Sequence, residues 1–294
     1  MQPKPVVCIA GCNGFIGQHI KSSLIDVELF GLDQNKSEDI PSIAVDLTKR
    51  ISNDDLSIFP KIDVLIFLVG LAHDKGKEAD QELFRSVNFD SLMNLIESLE
   101  SVNNLPDKII FSSTISVYGE RYNQRVYDES LDPNPFSPYA MTKWEAEQYL
   151  NENHKERSWI IRFAPVYAPN FDLNINRRTQ IMSRAYKVGN GKKKLSLCNI
   201  QNIINTVAAI VNDKVPAGTY NVADEKVYTY NDLLQLNSKQ SHYLYIPSFF
   251  IMITFIIGKF LKNIFLMENS IKLLTDNIFT SEKLQKFVQL NKSI

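Results

Sequence analysis

The chain has 294 residues, 44% hydrophobic and 22% charged, with 32 basic against 33 acidic side chains and a formal net charge of -1. That apolar content excludes a disordered chain, and the balanced charge excludes a global field that would attract nucleic acid. Three cysteines, Cys8, Cys12 and Cys198, lack zinc-type spacing and suit a reducing compartment better than a disulfide framework. No metal site is expected. The apolar run after Met-Gln-Pro-Lys-Pro is too short for a signal peptide, so the sequence predicts a cytoplasmic globular protein.

In chain order, Val6–Ala10 reads as a buried strand running into a helix over 14–26. Strands follow at Glu28–Asp33, Ser42–Val45 and Val64–Val69, then a helix at 78–101. Lys108–Ser112 is the next strand, 138–153 the next helix, and Trp159–Phe163 a further strand. Near-continuous apolar strands separated by helices imply a parallel sheet covered on both faces. The fold class is therefore α/β, a doubly wound parallel sheet of Rossmann type. It is followed by a smaller C-terminal mixed α/β region.

Beyond residue 165 a polar loop, Asn170–Arg178, precedes a predicted helix to Lys187. A basic turn at Gly189–Lys194 leads into an apolar run reaching Val211. From Ile246 to Ile257 the chain is almost wholly apolar but falls short of the ~18–20 residues needed to cross a bilayer. It reads as a buried helix or pocket wall. Peripheral membrane contact over 246–266 is the alternative, since Lys259 and Lys262 border the stretch.

The chain holds only 11 glycines, and three of them, Gly11, Gly14 and Gly17, lie within seven residues between the first strand and the first helix. Gly11 suits a tight turn, Gly14 a close approach to a pyrophosphate, and Gly17 close helix–strand packing. The helix that follows aims its free N–H groups at the phosphates. Asp33 ends the second strand at the distance where a carboxylate accepts from the adenosine ribose hydroxyls. It would repel a 2′-phosphate, so the expected cofactor is NAD. Asn13, Phe15 and Ile16 belong to the same loop and helix start.

Phe111–Gly119 reads Phe-Ser-Ser-Thr-Ile-Ser-Val-Tyr-Gly at a strand end, and Tyr139-Ala-Met-Thr-Lys143 opens the helix after Ser137 and Pro138. Tyr139 and Lys143, four apart, share a helix face, and a nearby ammonium is expected to lower the phenol pKa. Tyr139 could then take a hydroxyl proton as hydride leaves the carbinol carbon. With the Gly-x-x-Gly-x-x-Gly loop, this order of motifs resembles the extended short-chain dehydrogenases/reductases, and within them the NAD-dependent nucleotide-sugar epimerases and dehydratases, UDP-glucose 4-epimerases above all.

That resemblance implies further assignments. Thr114 would hydrogen-bond the reacting oxygen, Lys143 would hold the nicotinamide ribose, and Ser112 would lie beside the cofactor. Asp46-Leu47 resembles the family's adenine-contacting segment and Val87-Asn88 its fourth-helix Asn. Arg162–Pro169 and Thr219–Glu225 resemble two of its later motifs. Leu71-Ala72-His73 and Lys143–Glu147 resemble a polysaccharide-biosynthesis branch. Leu71, Ala72 and Asn88 are cofactor candidates, and His73, Thr114, Asn174 and Arg184 substrate candidates.

Residues 1–165 would form the NAD-binding domain, with a segment near 195–222 returning to it, and 166–294 the substrate-binding region. Helices 78–101 and 138–153 would form a homodimer. Family 4,6-dehydratases carry Asp-Glu after the Thr, whereas Ile115 and Ser116 follow Thr114 here, which argues against elimination. The expected activity is 4-epimerisation of a UDP-hexose or UDP-N-acetylhexosamine through a 4-keto intermediate, in surface-polysaccharide precursor synthesis. A nucleotide-sugar 4-ketoreductase is the alternative. Asp33 and the glycine loop favour an epimerase that keeps its NAD.

Overall fold

The computed structural model describes residues 3–71, 81–169, 171–182, 184–236 and 243–291. The first strands are β1 (Val6–Ala10), β2 (Glu28–Asp33), β3 (Ser42–Ala44), β4 (Val64–Phe67) and β5 (Lys108–Thr114). With strands at Ser158–Phe163 and Gly218–Val222 they form one seven-stranded sheet. Its order is Gly218–Val222, Ser158–Phe163, β5, β4, β1, β2, β3. The pairings from β3 to β5 are all parallel, with Val7 opposite both Leu29 and Val64.

The chain order reverses between β1 and β4. In doubly wound sheets, ligands bind at the carboxyl ends of the strands flanking such a switch point. The glycine loop follows β1 there, and Leu68–Leu71 follows β4.

The helices are α1 (Phe15–Ser23), α2 (Asn53–Ser57), α3 (Gln81–Arg85), α4 (Ser91–Ser101) and α5 (Pro138–Asn153). Apolar residues of α4 and α5, among them Leu92, Leu95, Ile96 and Leu150, pack on Phe67 and Phe111 in a fully buried core. The helix predicted over 78–101 is interrupted by a π-helical turn at Ser86–Asp90. Such turns insert one extra residue and often mark functional sites. The helix predicted over 138–153 matches α5.

The chain divides into two compact units. One holds Met1–Thr114, Pro138–Arg162 and Ile204–Tyr220, the other Ile115–Ser137, Phe163–Ile203 and Asn221–Ile294. The later helices are α6 (Leu173–Thr179), α7 (Ile200–Val211), α8 (Tyr230–Leu236), α9 (Ser248–Phe260), α10 (Ile264–Leu274) and α11 (Glu282–Gln285).

Two expectations are corrected in the second unit. The helix predicted up to Lys187 is instead a pair of strands, Gln180–Ile181 and Arg184–Val188, and α6 occupies the predicted polar loop. Met182 adopts a positive φ of 49°, which ends helical geometry and lets the two strands pair antiparallel. The apolar run at 246–257 is helical from Ser248 but not buried, since of α9 only Gly258 is buried. Length and hydropathy alone do not distinguish a core helix from one whose apolar side faces outward. No helix among the described residues is long and apolar enough to cross a membrane.

Candidate active site

Gly11 leaves β1 with φ +86°, a conformation that L side chains resist, and its N–H donates to the Leu32 carbonyl at 2.8 Å. A Cβ at Gly17 would lie 2.9 Å from the Cys12 Cα and still closer to the Gly11 carbonyl oxygen, so α1 crosses the loop at glycine-only distance. Gly14 is the N-cap of α1 and places no capping side chain over the helix N-terminus. Phe15 and Ile16 make that first turn.

Asp33, at the end of β2, accepts the Asn13 N–H on Oδ2 at 2.9 Å and the Gln34 N–H on Oδ1 at 2.8 Å. The Asn13 side chain in turn donates to the Asn35 carbonyl at 2.8 Å. The acidic residue thus ties the glycine loop to β2 and keeps lone pairs free for a further donor. Beyond β3, Asp46 accepts from the Thr48 hydroxyl at 2.6 Å, a bond that, with Lys49 beside it, holds its carboxyl below the usual range. Leu47 is buried, and its carbonyl accepts from Asn94 at 3.1 Å.

Past β4 the backbone runs through Val69 and Gly70 to Leu71. Asn88, fully buried on the π-helical turn, accepts the Leu71 N–H at 2.7 Å and donates to the Leu71 carbonyl and the Thr142 hydroxyl, both at 3.2 Å. Its amide therefore fixes this loop to α5. Ala72 and His73 lie outside the described residues.

Lys143, 2% exposed, donates from Nζ to the Val69 carbonyl at 3.2 Å and sits over the Phe111 ring at 4.7 Å. A Cβ on Gly70 would meet its Nζ at 3.1 Å, so the glycine leaves room for the ammonium end. Burial pulls the Lys143 pKa down to about 7 against the opposing pull of the Glu147 charge. Tyr139, one turn earlier on α5, is hydrogen-bonded to Thr114 at the end of β5. Burial pushes its phenol up to about 12, with the Thr114 bond acting in the opposite direction. The expected lowering of Tyr139 by Lys143 is thus overturned: desolvation dominates and moves the two groups toward their neutral forms. Ser112, on the same strand, is half-buried.

One element of this site escaped the sequence reading. Glu147 is fully buried and takes Arg162 from the Ser158–Phe163 strand, at 2.6 Å to Nη2 and 3.0 Å to Nε, together with the Ser113 hydroxyl. Glu147 stands one turn after Lys143 on α5, so the carboxylate anchors this helix to the strand that ends in Thr114. Glu147 and Arg162 each stand at the end of a segment singled out in the sequence, Lys143–Glu147 and Arg162–Pro169, but nothing in either segment marks them as partners.

The second unit holds the other candidates. Asn174 on α6 donates to the Val166 carbonyl at 2.8 Å, and Arg184 is exposed. Asp224 is buried and accepts the Tyr167 and Tyr228 hydroxyls at 2.6 and 2.8 Å, the Asn199 N–H and the Asn202 amide, the last two at 2.7 Å. The segments Arg162–Pro169 and Thr219–Glu225 therefore converge through Tyr167 and Asp224.

The model of the NAD-dependent epimerase/dehydratase family matches residues 7–223. The chain belongs to this family. It is 27% identical over 242 residues to the N-acetyl-α-D-glucosaminyl-diphospho-ditrans,octacis-undecaprenol 4-epimerase of Escherichia coli O157:H7, covering 80% of this chain and 69% of that one. A putative UDP-glucose 4-epimerase of Methanocaldococcus jannaschii is 27% identical over 57% of this chain and 58% of its own length, so less than two thirds of that relative is matched.

Among solved structures, the UDP-glucuronic acid 4-epimerase of Bacillus cereus with NAD superposes with a TM-score of 0.73 at 20% identity, covering 98% of this chain and 94% of that one. The UDP-N-acetylglucosamine 4-epimerase of Methanobrevibacter ruminantium M1, in complex with UDP-N-acetylmuramic acid, gives a TM-score of 0.68 at 27% identity over 84% and 86%. The chain is an NAD-dependent epimerase-family enzyme of Rossmann fold, and its glycine cradle fits the dinucleotide that the family uses.

Proposed function

We propose that this enzyme is a 4-epimerase of a UDP-hexose or UDP-N-acetylhexosamine, working in surface-polysaccharide precursor synthesis. The observation that carries the reading is the Thr114–Tyr139 hydrogen bond with Lys143 one turn further along α5. The glycine loop and the N-terminal end of α1 would bind the pyrophosphate, Asp33 the adenosine ribose, Asp46 and Leu47 the adenine end, and Lys143 the nicotinamide ribose. NAD, when bound, takes the C4 hydride and gives it back.

The side chains manage the proton. Tyr139 rests as the neutral phenol and must first give up its proton; as phenolate it accepts the C4 hydroxyl proton in the oxidising half and returns it to the 4-oxo group in the reducing half, so the cycle is proton-neutral. Thr114 holds the phenolic oxygen toward the same sugar oxygen and stabilises the phenolate. Lys143, with its pKa near neutrality, exchanges protons readily at working pH. Ile115 and Ser116 after Thr114 offer no carboxylate for eliminating water, which supports epimerisation over dehydration.

The buried, free cysteines suit a cytoplasmic setting, and α3–α5 remain the proposed face of a homodimer. A second carrier for the sugar is favoured by the E. coli relative together with the outward apolar side of α9: a diphosphate linked to a polyprenol.

Mass spectrometry of the purified protein should find retained NAD. NMR should show interconversion of one C4-epimeric pair from a panel of UDP-sugars and one polyprenyl-diphosphate sugar, and Tyr139→Phe should abolish it. Protein without NAD that turns over neither carrier would refute the proposal.

A further inference from the structure

The second unit carries a helical hairpin, α9 and α10, with an apolar outer side. Where α9 meets α10, Gly258 lies against Leu266 and Met267, and a hydroxyl pair bridges the two helices. A Cβ on Gly258 would meet the Met267 N at 3.1 Å, and the Thr254 and Ser270 hydroxyls hydrogen-bond at 2.9 Å. Phe255 stacks on Tyr122, but most of the large apolar side chains of α9 face outward. Phe249, Ile253, Ile256 and Phe260 follow the i, i+4, i+7, i+11 pattern of one helix face, flanked by Phe250 and Ile257, and all are exposed. The stripe continues through Leu261 in the turn to Phe265 at the start of α10. Phe260 is 87% and Phe265 73% exposed. A soluble monomer rarely leaves so continuous an apolar patch uncovered.

The charges around the stripe identify what covers it. No Asp or Glu stands between Asp232 and Glu268, whereas Lys259 and Lys262 are exposed at the hairpin tip and Tyr243 and Tyr245 are exposed at the other end. Aromatic and aliphatic residues on one side, lysines at the margin and no acid are the composition of a helix lying in a membrane interface. The 13 residues of α9 reach only about 20 Å, short of the ~30 Å hydrocarbon layer, so the hairpin can lie in the surface but not cross it. A second copy of this chain offers Lys259 and Lys262 no acidic partner on this face; an anionic lipid surface does.

We propose that the α9–α10 hairpin docks the protein on anionic lipid, with Phe249, Ile253, Phe260 and Phe265 inserted at headgroup depth and Lys259 and Lys262 against the phosphates. The inference is independent of the epimerase reading.

The full chain should float with vesicles of phosphatidylcholine mixed with phosphatidylglycerol at low salt, and about tenfold or more weakly with phosphatidylcholine alone, because each basic residue near an anionic surface adds to binding. Phe260→Glu combined with Phe265→Glu alters only exposed positions. It should abolish flotation while leaving the thermal midpoint and NAD content unchanged. Lys259→Gln with Lys262→Gln should remove the preference for anionic vesicles. The proposal is overturned if wild-type protein stays with the aqueous fraction on both vesicle types. It is equally overturned if sedimentation shows a dimer that the Phe260→Glu, Phe265→Glu variant splits while vesicle binding is absent.

Discussion

Arg162 and Glu147 form a buried ion pair with the guanidinium on both carboxylate oxygens, the shortest contact being 2.6 Å, while the same carboxylate receives the Ser113 hydroxyl. The pair links three elements: α5, the Ser158–Phe163 strand and β5. The relative placement of Tyr139 on α5 and Thr114 on β5 depends on that link.

Glu147→Gln leaves the Arg162 charge buried without its counter-ion. Uncompensated buried charges cost about 3–5 kcal/mol, so urea unfolding should show a loss of that size. Lys143 would also fall further below 7, since the Glu147 charge is what holds it up. A variant as stable as the wild type would show that the pair is energetically idle.

Thr114→Val removes the bond that draws the Tyr139 phenol down. The phenol then rises further, and the pH at which kcat/KM reaches its plateau should move upward. Turnover at neutral pH should drop by roughly 10- to 100-fold, within the range contributed by positioned proton-transfer groups. Unchanged pH dependence would place Thr114 away from the reacting oxygen.

Lys143→Met tests the linkage between burial and pH. The folded-state pKa, about 7, lies below the ordinary 10.5 of lysine, so the folded chain binds fewer protons than the unfolded one between those values. Wild-type stability therefore rises with pH from about 7 toward 10.5, and the cost of the buried ammonium is full below 7. The Met variant carries no such cost. Its melting temperature relative to wild type should be highest at pH 6 and decline by pH 9. Equal differences at both pH values would mean that Lys143 does not titrate in this window.

Gly17→Ala places a methyl against the Gly11 carbonyl and Cys12 backbone, which have no flexible end to yield. Overpacking of this kind costs about 1–3 kcal/mol or more. The expected outcome is reduced thermal stability together with loss of retained NAD, read by melting and by ligand mass spectrometry.

The parts legible in the sequence were those written locally. The glycine spacing and the strand before it follow from periodicity and turn chemistry within short windows, and the start of α5 from Ser137 and Pro138. Glu147 and Arg162 are 15 residues apart in the chain and meet only because α5 packs on the strand after it, so no window pattern discloses their pairing. The strands at 180–188 were hidden for a related reason: a positive φ at Met182 is a tertiary choice that helix propensity does not encode. The outward apolar side of α9 was ambiguous because hydropathy records what a residue avoids, not which surroundings supply it. The bonds of Asn88 to Leu71 and Thr142 were likewise not legible, because they form only once the π-helical turn is in place.

The glycine loop is closed by bonds of its own: Gly11 to Leu32, Gly14 to Gly11, and Asn13 to Asp33. Receiving a dinucleotide there requires little reordering of the backbone, and letting it go returns almost no conformational entropy. Such a cradle favours long residence times. An enzyme that recycles one hydride within a single turnover gains from a cofactor that seldom leaves, whereas one that must exchange it each cycle would be throttled by the same rigidity.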